Sequence, residues 1–284
     1  MKKYIFILFA LLFLVATISA QESATGSNVL TNKKGIPILP KKGDFAIGIS
    51  ANPFLNYVGN MFNNTANNNF SLYSYTLYGK YYVKDDAAIR LYYSWSNLHE
   101  TLKAYVQDDA GHSADPLSQA QVEDTRLYKN DNLGIGLSYQ KYRGYGRLQG
   151  FYGIYINYSQ SRTQYKYTYG NKITEANPNP SQNWGAEDIN FGRTLYTDSG
   201  IDRSLGAGLL AGVELFFMPK ASIGAELNFG YSYGWGTQSN GKYEKWDGGK
   251  VVESKRTFSP GDHSSGFSTY LPSTYGGLFL MFHF

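Results

Sequence analysis

Residues 221–235 alternate strictly between two kinds of side chain. One set is apolar or aromatic, and it comprises Ile223, Ala225, Leu227, Phe229, Tyr231, Tyr233 and Trp235. The intervening set is small or polar, and it comprises Ser222, Gly224, Glu226, Asn228, Gly230, Ser232 and Gly234. A period of two belongs to a β-strand, whose successive side chains point to opposite faces. The segment therefore predicts a long strand with one apolar face and one face of small or polar side chains.

The same alternation recurs in seven other segments. The predicted strands cover residues 43–51, 71–83, 87–97, 131–142, 147–158, 204–217, 221–235 and 270–284. In the first strand, for example, Phe45, Ile47 and Ile49 share one face. Segments of this length and pattern are typical of strands that face lipid on one side.

The connections between these strands alternate in length. Three are short, at residues 84–86, 143–146 and 218–220, and four are long, at residues 52–70, 98–130, 159–203 and 236–268. A soluble β-sandwich would not sort its connections in this way. An even number of strands can close on itself and leave no open edge. We therefore expect an all-β chain that forms an eight-stranded antiparallel transmembrane β-barrel, with a ten-stranded barrel as the main alternative.

Composition excludes several other classes. No cysteine is present, which rules out a disulfide scaffold, a thiolate metal site and a cysteine nucleophile. Only the N-terminal segment contains an apolar run, so a bundle of membrane helices is excluded. No Lys/Arg stripe appears, so nucleic acid is not an expected partner. Charged residues make up only 17% of the chain, whereas ordinary soluble domains contain about 25%.

The two ends of the chain carry further patterns. Residues 1–20 have a basic start, an apolar core and a small-residue exit, which predicts a secretory signal peptide. Residues 21–42 are then a Pro- and Lys-containing N-terminal tail, and residues 43–284 form the barrel. At the other end every second residue is apolar, namely Phe284, Phe282, Leu280 and Leu278.

This C-terminal pattern resembles the closing strand of bacterial outer-membrane β-barrels. Together with the strand and loop order, it makes residues 43–284 similar to small barrels of the OmpX, OmpW and OmpA type, and the Asn-rich loops and abundant Tyr resemble Bacteroidetes members. The resemblance implies a Gram-negative cell-envelope protein in the outer membrane, with periplasmic termini and turns and with extracellular long loops. It also implies contact with lipid and lipopolysaccharide, and reading of the four C-terminal apolar residues by the barrel-assembly machinery.

Four charged residues fall on the inward parity of the predicted strands. These are Lys80, Arg90, Glu214 and Glu226. Because buried charges require partners, we expect the pairs Lys80–Glu214 and Arg90–Glu226 to meet across the interior. A structural plug is the favoured interpretation of this group. A proton relay or an ion filter is the alternative.

Aromatic residues fall on both parities. Outward aromatic residues predict a girdle that includes Trp95, Trp235, Tyr231, Tyr233 and Phe217. Inward aromatic residues are expected to lie over the glycine-rich walls of the interior, and they are Tyr78, Tyr82, Tyr92, Phe151 and Tyr155.

Candidate chemistry in the long loops is weak. His263 with Ser265, His112-Ser113 near Asp115, and His99 beside Glu100 are chance neighbours in a chain with 4 His. An acidic stretch, Asp108-Asp109, Asp115 and Glu123-Asp124, suits a solvated loop better than a divalent cation site. We therefore expect no catalytic residue, no metal and no cofactor.

The predicted function is interaction rather than catalysis. The barrel would present loops 98–130, 159–203 and 236–268 to a protein partner, in adhesion, envelope integrity or as an accessory subunit of an outer-membrane complex. The alternative is a narrow, porin-like channel or a lateral conduit for small hydrophobic molecules, as the OmpW resemblance implies. Modification of lipid A is the third candidate.

Overall fold

The computed structural model describes residues 30–51, 75–184, 192–270 and 277–284. The predicted signal peptide at 1–20, the start of the tail, the first predicted loop and the segment 271–276 lie outside these residues. Within the described ranges, no helix is both long enough and apolar enough to cross a membrane.

The described chain consists of β-strands and one short helix. The strands are β1 (Phe45–Ser50), β2 (Tyr75–Lys84), β3 (Ala87–Gln107), β4 (Gln121–Tyr145), β5 (Leu148–Thr168), β6 (Arg193–Asp198), β7 (Asp202–Met218), β8 (Ala221–Gly236), β9 (Ser239–Asp247), β10 (Lys250–Ser259), β11 (His263–Tyr270) and β12 (Gly277–His283). The helix α1 covers Asp109–Ala114, between β3 and β4.

Eight of these strands form a closed hydrogen-bonded ring. The order is β1–β2–β3–β4–β5–β7–β8–β12, and β12 pairs back onto β1. Every pairing is antiparallel. Three tight turns, at residues 85–86, 146–147 and 219–220, lie at one end of the ring, which we call the short-turn end. The all-β class and the ring of eight strands agree with the sequence prediction.

The ring has its apolar side chains outside. Each of its eight strands carries outward residues that are exposed. Ile47, Leu91, Ile154 and Leu227, for example, are between 46% and 60% exposed. The inward residues between them are buried and include charged and amide side chains. A soluble protein would bury the apolar parity, so the ring has the reverse distribution.

The predicted long loops contain strands. β3, β4 and β5 continue well beyond the predicted ends at residues 97, 131 and 158, so the range 98–130 is mostly a β-hairpin tipped by α1. The range 236–268 contains β9, β10 and most of β11, and 159–203 contains β6. These ranges were expected to be loops, and that expectation is wrong. Exposed strands need no apolar face, so their sequences lack the alternation by which the ring strands were predicted.

The same sheet branches beyond the ring. β7 pairs with β5 from Leu148 to Ser161. Farther from the short-turn end, β6 replaces β7 as the partner of β5, at Gln164–Lys166. β6 then pairs with β9, and β9 pairs with β10. We call the far ends of β3, β4 and β5 together with α1, β6, β9 and β10 the outer sheet.

Part of the N-terminal tail is ordered against the short-turn end. Thr31 and Pro37 form an isolated bridge, and Ile38 is 3% exposed. The backbone N–H of Gly43 donates to the Tyr82 carbonyl at 2.8 Å, and the N–H of Lys42 donates to Asp85 Oδ1 at 2.8 Å. This part of the predicted tail is therefore folded.

Candidate functional site

A buried ion pair lies in the ring interior near the short-turn end. The Lys80 Nζ on β2 is 2.7 Å from Glu214 Oε2 on β7, and both side chains are 0% exposed. β2 and β7 are not neighbours in the ring, so the pair spans the interior. An isolated buried charge costs several kcal/mol, which this contact offsets.

Two hydroxyl groups also contact the Glu214 carboxylate, and His283 lies next to one of them. The Tyr142 hydroxyl accepts a hydrogen bond from Lys80 Nζ at 2.8 Å and lies 2.9 Å from Glu214 Oε2. The Ser222 hydroxyl donates to Glu214 Oε1 at 2.5 Å and also lies 2.8 Å from His283 Nε2. Because the Ser222 hydroxyl donates its only proton to the Glu214 carboxylate, His283 Nε2 must donate a hydrogen bond to the Ser222 oxygen.

A second ion pair joins β3 to β8. Arg90 NH2 is 2.5 Å from Glu226 Oε2, and both side chains are buried. The Gln140 amide links the two pairs, because its Nε2 donates to Glu226 Oε2 at 3.4 Å and its Oε1 is 3.1 Å from the Tyr142 hydroxyl. The structure thus brings all four predicted charged residues into one network with two cations and two anions.

Aromatic rings surround the two cations. Lys80 Nζ lies 5.2 Å from the centre of the Phe279 ring and 5.4 Å from that of Tyr142. The Arg90 guanidinium lies 5.3 Å from the Tyr78 ring and 5.4 Å from the Phe279 ring. Such contacts add favourable electrostatics to a desolvated cation. Together with the ion pairs they fill the interior near the short-turn end.

Glycines make room for the inward rings. A Cβ atom added at Gly136 would collide with the Tyr92 ring, one at Gly212 with the Phe151 ring, and one at Gly230 with the Tyr155 hydroxyl. Tyr78 and Tyr82 are also buried in the same core. The predicted packing of inward rings over glycine walls is confirmed at these contacts.

The predicted girdle residues lie on the outer surface of the ring. Trp95, Tyr231, Tyr233 and Phe217 are exposed, and Trp235 is half-buried next to Tyr233, with ring centres 5.8 Å apart. The four C-terminal apolar residues also share the outward parity. Phe282 and Phe284 are exposed, while Leu278 and Leu280 are half-buried. Their reading by assembly machinery stays a prediction.

The outer sheet carries a different polar cluster. Arg193 on β6 is buried, its Nε and NH2 reach Glu244 Oε1 at 2.8 and 2.7 Å, and its guanidinium lies 4.2 Å from the centre of the Tyr169 ring. Tyr165, Tyr167 and Tyr169 form a strip of near-parallel rings with successive centres 6.4 Å apart. Burial raises the pKa of Tyr169. The strip borders an open cleft of about 370 Å³.

Another charged corner lies where β6 turns into β7. Arg162 NH2 is 2.5 Å from Asp198 Oδ2, and Gln164, Tyr196 and the Gly200 N–H also donate to the Asp198 carboxylate. These hydrogen bonds, the one from Arg162 above all, hold the Asp198 pKa well below its usual value.

The acidic stretch of β3–β4 stabilises a loop. Asp124 is fully buried and accepts hydrogen bonds from the backbone N–H groups of Gly170 and Asn183. Asp109 accepts from the Asn177 side chain and the Ser181 N–H, and these bonds contribute to a lowered pKa. Within the part of the chain that the structure describes, no group of three or more acidic or His residues is arranged to hold a metal ion.

The His and Ser neighbours also have defined positions. His263 and Ser265 lie on β11, an exposed strand and not a loop, and His263 Nδ1 is 3.0 Å from the Tyr233 hydroxyl. His112 and Ser113 are in α1, and His99 is on β3. The placement of His263 in a loop was therefore wrong.

The sequence analysis did not identify several residues of the ion-pair network in the ring interior or of the polar cluster on the outer sheet. His283 is buried beside Ser222 and 5.3 Å from the Phe216 ring. Strand parity already places Gln140, Tyr142 and His283 inward, so the alternation could have found them. For the outer sheet, the pair Gly248-Gly249 between β9 and β10 is a hairpin signal.

Comparison with known proteins assigns no family. Neither a scan against protein-family models nor a search of curated proteins finds a match to this chain.

Proposed function

We propose that this chain is an outer-membrane β-barrel with a closed interior that functions through its outer sheet as an interaction protein. The observation that carries the proposal is the continuous exposed apolar surface on all eight strands of the ring. Monomeric soluble proteins rarely expose apolar patches beyond a few hundred Å². A surrounding hydrocarbon phase removes that cost.

The dimensions of the apolar surface suit a bilayer. On β8 the outward row from Ile223 to Tyr233 is apolar or aromatic throughout. Ten residue steps correspond to about 34 Å along an antiparallel strand. At the roughly 45° tilt of membrane strands this becomes about 24 Å, close to the apolar band of outer-membrane barrels. The short-turn end would then be periplasmic and the outer sheet extracellular.

The filled interior argues against passage of solutes. The layer is closed to solvent, because its members are all at most 2% exposed, namely Lys80, Glu214, Gln140 and Met281. A continuous pore through eight strands would need this layer to move, because small barrels have interiors just wide enough for side chains. We therefore favour the plug over an ion filter, and interaction over the channel or lateral conduit.

The outer sheet supplies the surface for interaction. It extends β3, β4 and β5 well past the apolar band and adds β6, β9 and β10 beside them. Its side chains are a mixture of aromatic, charged and amide groups, a composition typical of recognition surfaces. Adhesion, envelope integrity and membership of a larger outer-membrane complex all use such a surface.

Membrane placement is tested by cell fractionation and by electrophoresis with and without heating. A stable barrel migrates as a compact species until it is boiled, and it should be found with the outer membrane. Recovery of the protein as a soluble monomer in the absence of detergent would contradict the proposal.

Conductance in planar bilayers tests the closed interior. The unmodified protein should leave conductance at background, whereas Lys80→Ala/Glu214→Ala should raise it by opening the filled layer. Lys103→Ala/Glu123→Ala, which removes an exposed ion pair of the outer sheet, is the matched control. Large stable pores in the unmodified protein would overturn the plug and favour the channel.

Purification in mild detergent tests the interaction role. We expect the protein to be recovered with a defined partner, and we expect deletion of the β9–β10 hairpin to release that partner while the ring stays folded. A lone monomer that transports a small hydrophobic molecule would favour the conduit instead.

A further inference from the structure

The cleft on the outer sheet combines aromatic faces with polar groups. It is lined by Tyr167, Tyr169, Lys172, Arg193 and Glu244, among other residues. The rings of Tyr167 and Tyr169 lie parallel within 7°, with their centres 6.4 Å apart, and both line the cleft. The site lies outside the ring, far along β5 from the short-turn end.

Part of the cleft is a rigid base. Arg193 is buried, holds Glu244 through two nitrogens, donates to the Asn171 carbonyl at 2.9 Å and covers the Tyr169 ring. The Tyr169 hydroxyl donates to the Thr194 carbonyl. Both ends of Tyr169 are therefore fixed, which orients the aromatic strip without a ligand and lowers the entropy cost of binding.

Three polar groups of the cleft have unused hydrogen-bonding capacity. Both Arg193 nitrogens bind Glu244 Oε1, which leaves Oε2 with no hydrogen-bond partner among the described residues. Across those same residues, the Tyr167 hydroxyl has no partner and Lys172 Nζ has no carboxylate within 4 Å. The cleft thus offers one acceptor, one hydroxyl and one ammonium group beside an aromatic face.

This combination matches the chemistry of a sugar. A pyranose ring presents a patch of C–H groups that packs on the negative face of an aromatic ring, and its edge presents hydroxyls that need both donors and acceptors. A purely apolar ligand would leave Glu244 Oε2 and Lys172 unpaired, at a cost in desolvation.

The local charge favours an acidic sugar. Within the cleft lining, Glu244 neutralises Arg193, and Lys172 is left as an uncompensated cation at the exposed edge. On the neighbouring strand, Arg126 lies 5.4 Å from the Trp184 ring and 5.9 Å from the Tyr165 ring, and it has no carboxylate partner in the described part of the chain. A carboxylate on the ligand would pair with Lys172.

We propose that the cleft beside Tyr167 and Tyr169 binds an anionic oligosaccharide, with a sugar ring on the tyrosine strip and its carboxylate on Lys172. This inference deepens the proposed function, because it rests on the outer sheet being the working surface. Its test needs no membrane, so a failure here would leave the membrane placement standing.

The experiment is calorimetric titration of the full chain in detergent with tetragalacturonate, and with maltotetraose as the neutral probe of equal length. Tetragalacturonate should bind at least about tenfold more tightly than maltotetraose, and Tyr167→Ala should weaken it by about tenfold or more. Lys172→Gln should abolish the preference for the acidic probe. Tyr167→Phe, which keeps the ring face, should retain most of the affinity and shows that the site is folded.

Two matched controls lie outside the cleft. Tyr105→Ala removes an exposed tyrosine of β3, and Lys166→Gln removes an exposed lysine on the opposite face of β5. Neither should change binding. The proposal is overturned if tetragalacturonate does not bind at about 10 mM, if both probes bind equally, or if Tyr167→Ala and Lys172→Gln bind like the controls.

Discussion

The ring interior and the outer sheet both contain ion pairs, but they use them under opposite conditions. Lys80 and Glu214 are 0% exposed, whereas the Lys103 side chain on the outer sheet is 61% exposed beside Glu123. In a dry interior each charge depends on its partner, since desolvation is large. In solvent the same contact is screened and contributes little.

The difference indicates distinct roles for the two regions. The interior has its four charges paired and its rings packed on glycines. The outer sheet has aromatic faces, a free ammonium and a free carboxylate oxygen available to a ligand. We therefore expect the ring to contribute most of the stability, and we propose that recognition takes place on the outer sheet.

Removal of Glu214 should have the largest effect. Glu214→Ala leaves Lys80 buried without its anion and removes an acceptor of Tyr142 and Ser222. We expect the free energy of unfolding to fall by about 3–5 kcal/mol. Urea unfolding in detergent micelles, followed by tryptophan fluorescence, measures this.

An apolar replacement of the pair is the control for this prediction. Lys80→Met/Glu214→Leu removes both charges, and it should recover most of the stability lost in the single variant. Glu123→Ala on the outer sheet should leave the unfolding midpoint unchanged. If Glu214→Ala lowered the free energy of unfolding as little as Glu123→Ala does, the contrast between the two regions would be refuted.

Adding a methyl group at an inward glycine that contacts an aromatic ring should have an intermediate effect on the free energy of unfolding. A methyl group at Gly136 meets only the Tyr92 ring among its three nearest atoms. Gly136→Ala should therefore cost about 1–3 kcal/mol by overpacking. The same unfolding assay measures it.

Two variants isolate the steric cause. Gly79→Ala adds the same methyl group to β2, where nothing lies within 4 Å, and it should be neutral. Tyr92→Leu should relieve part of the Gly136→Ala cost in a double-mutant cycle. Equal costs at Gly79 and Gly136 would mean that the general effect of adding a Cβ, and not contact with the ring, is responsible.

Asp198→Asn should have the smallest effect, confined to the outer sheet. Arg162 is 39% exposed, so the lost ion pair is worth only about 1 kcal/mol. We expect faster amide hydrogen exchange on β6 and at Gln164–Lys166, and unchanged exchange in the ring. Faster amide hydrogen exchange throughout the ring in this variant would show that the two regions unfold together.

The same corner predicts a pH dependence. The folded pKa of Asp198 is lowered from 3.8, so its stabilisation is present above that value and is lost as the pH falls below it. Local exchange on β6, corrected for intrinsic rates, should accelerate below about pH 4. The Asn variant should show no such change, and Glu123→Gln should behave as wild type.

Much of the ring could be predicted from sequence because its signal is local. Alternation at β8 and β12 identifies the strands, their faces and the inward charges without reference to partners. The strands β9 and β10 gave no such signal, because Lys242, Glu244 and Lys255 fall among their aromatic residues. Strand length was underestimated for the same reason at β3 and β4.

The sequence alone determined which side chains point into the ring, since period-two parity is a property of each strand and survives any arrangement of its neighbours. Only the tertiary structure decided that Gln140 joins the two ion pairs, that His283 is buried beside Ser222, and that Glu244 meets Arg193 in the cleft. Those contacts depend on the register of strands far apart in the chain. Register is set by the closure of the whole sheet, and no single segment encodes it.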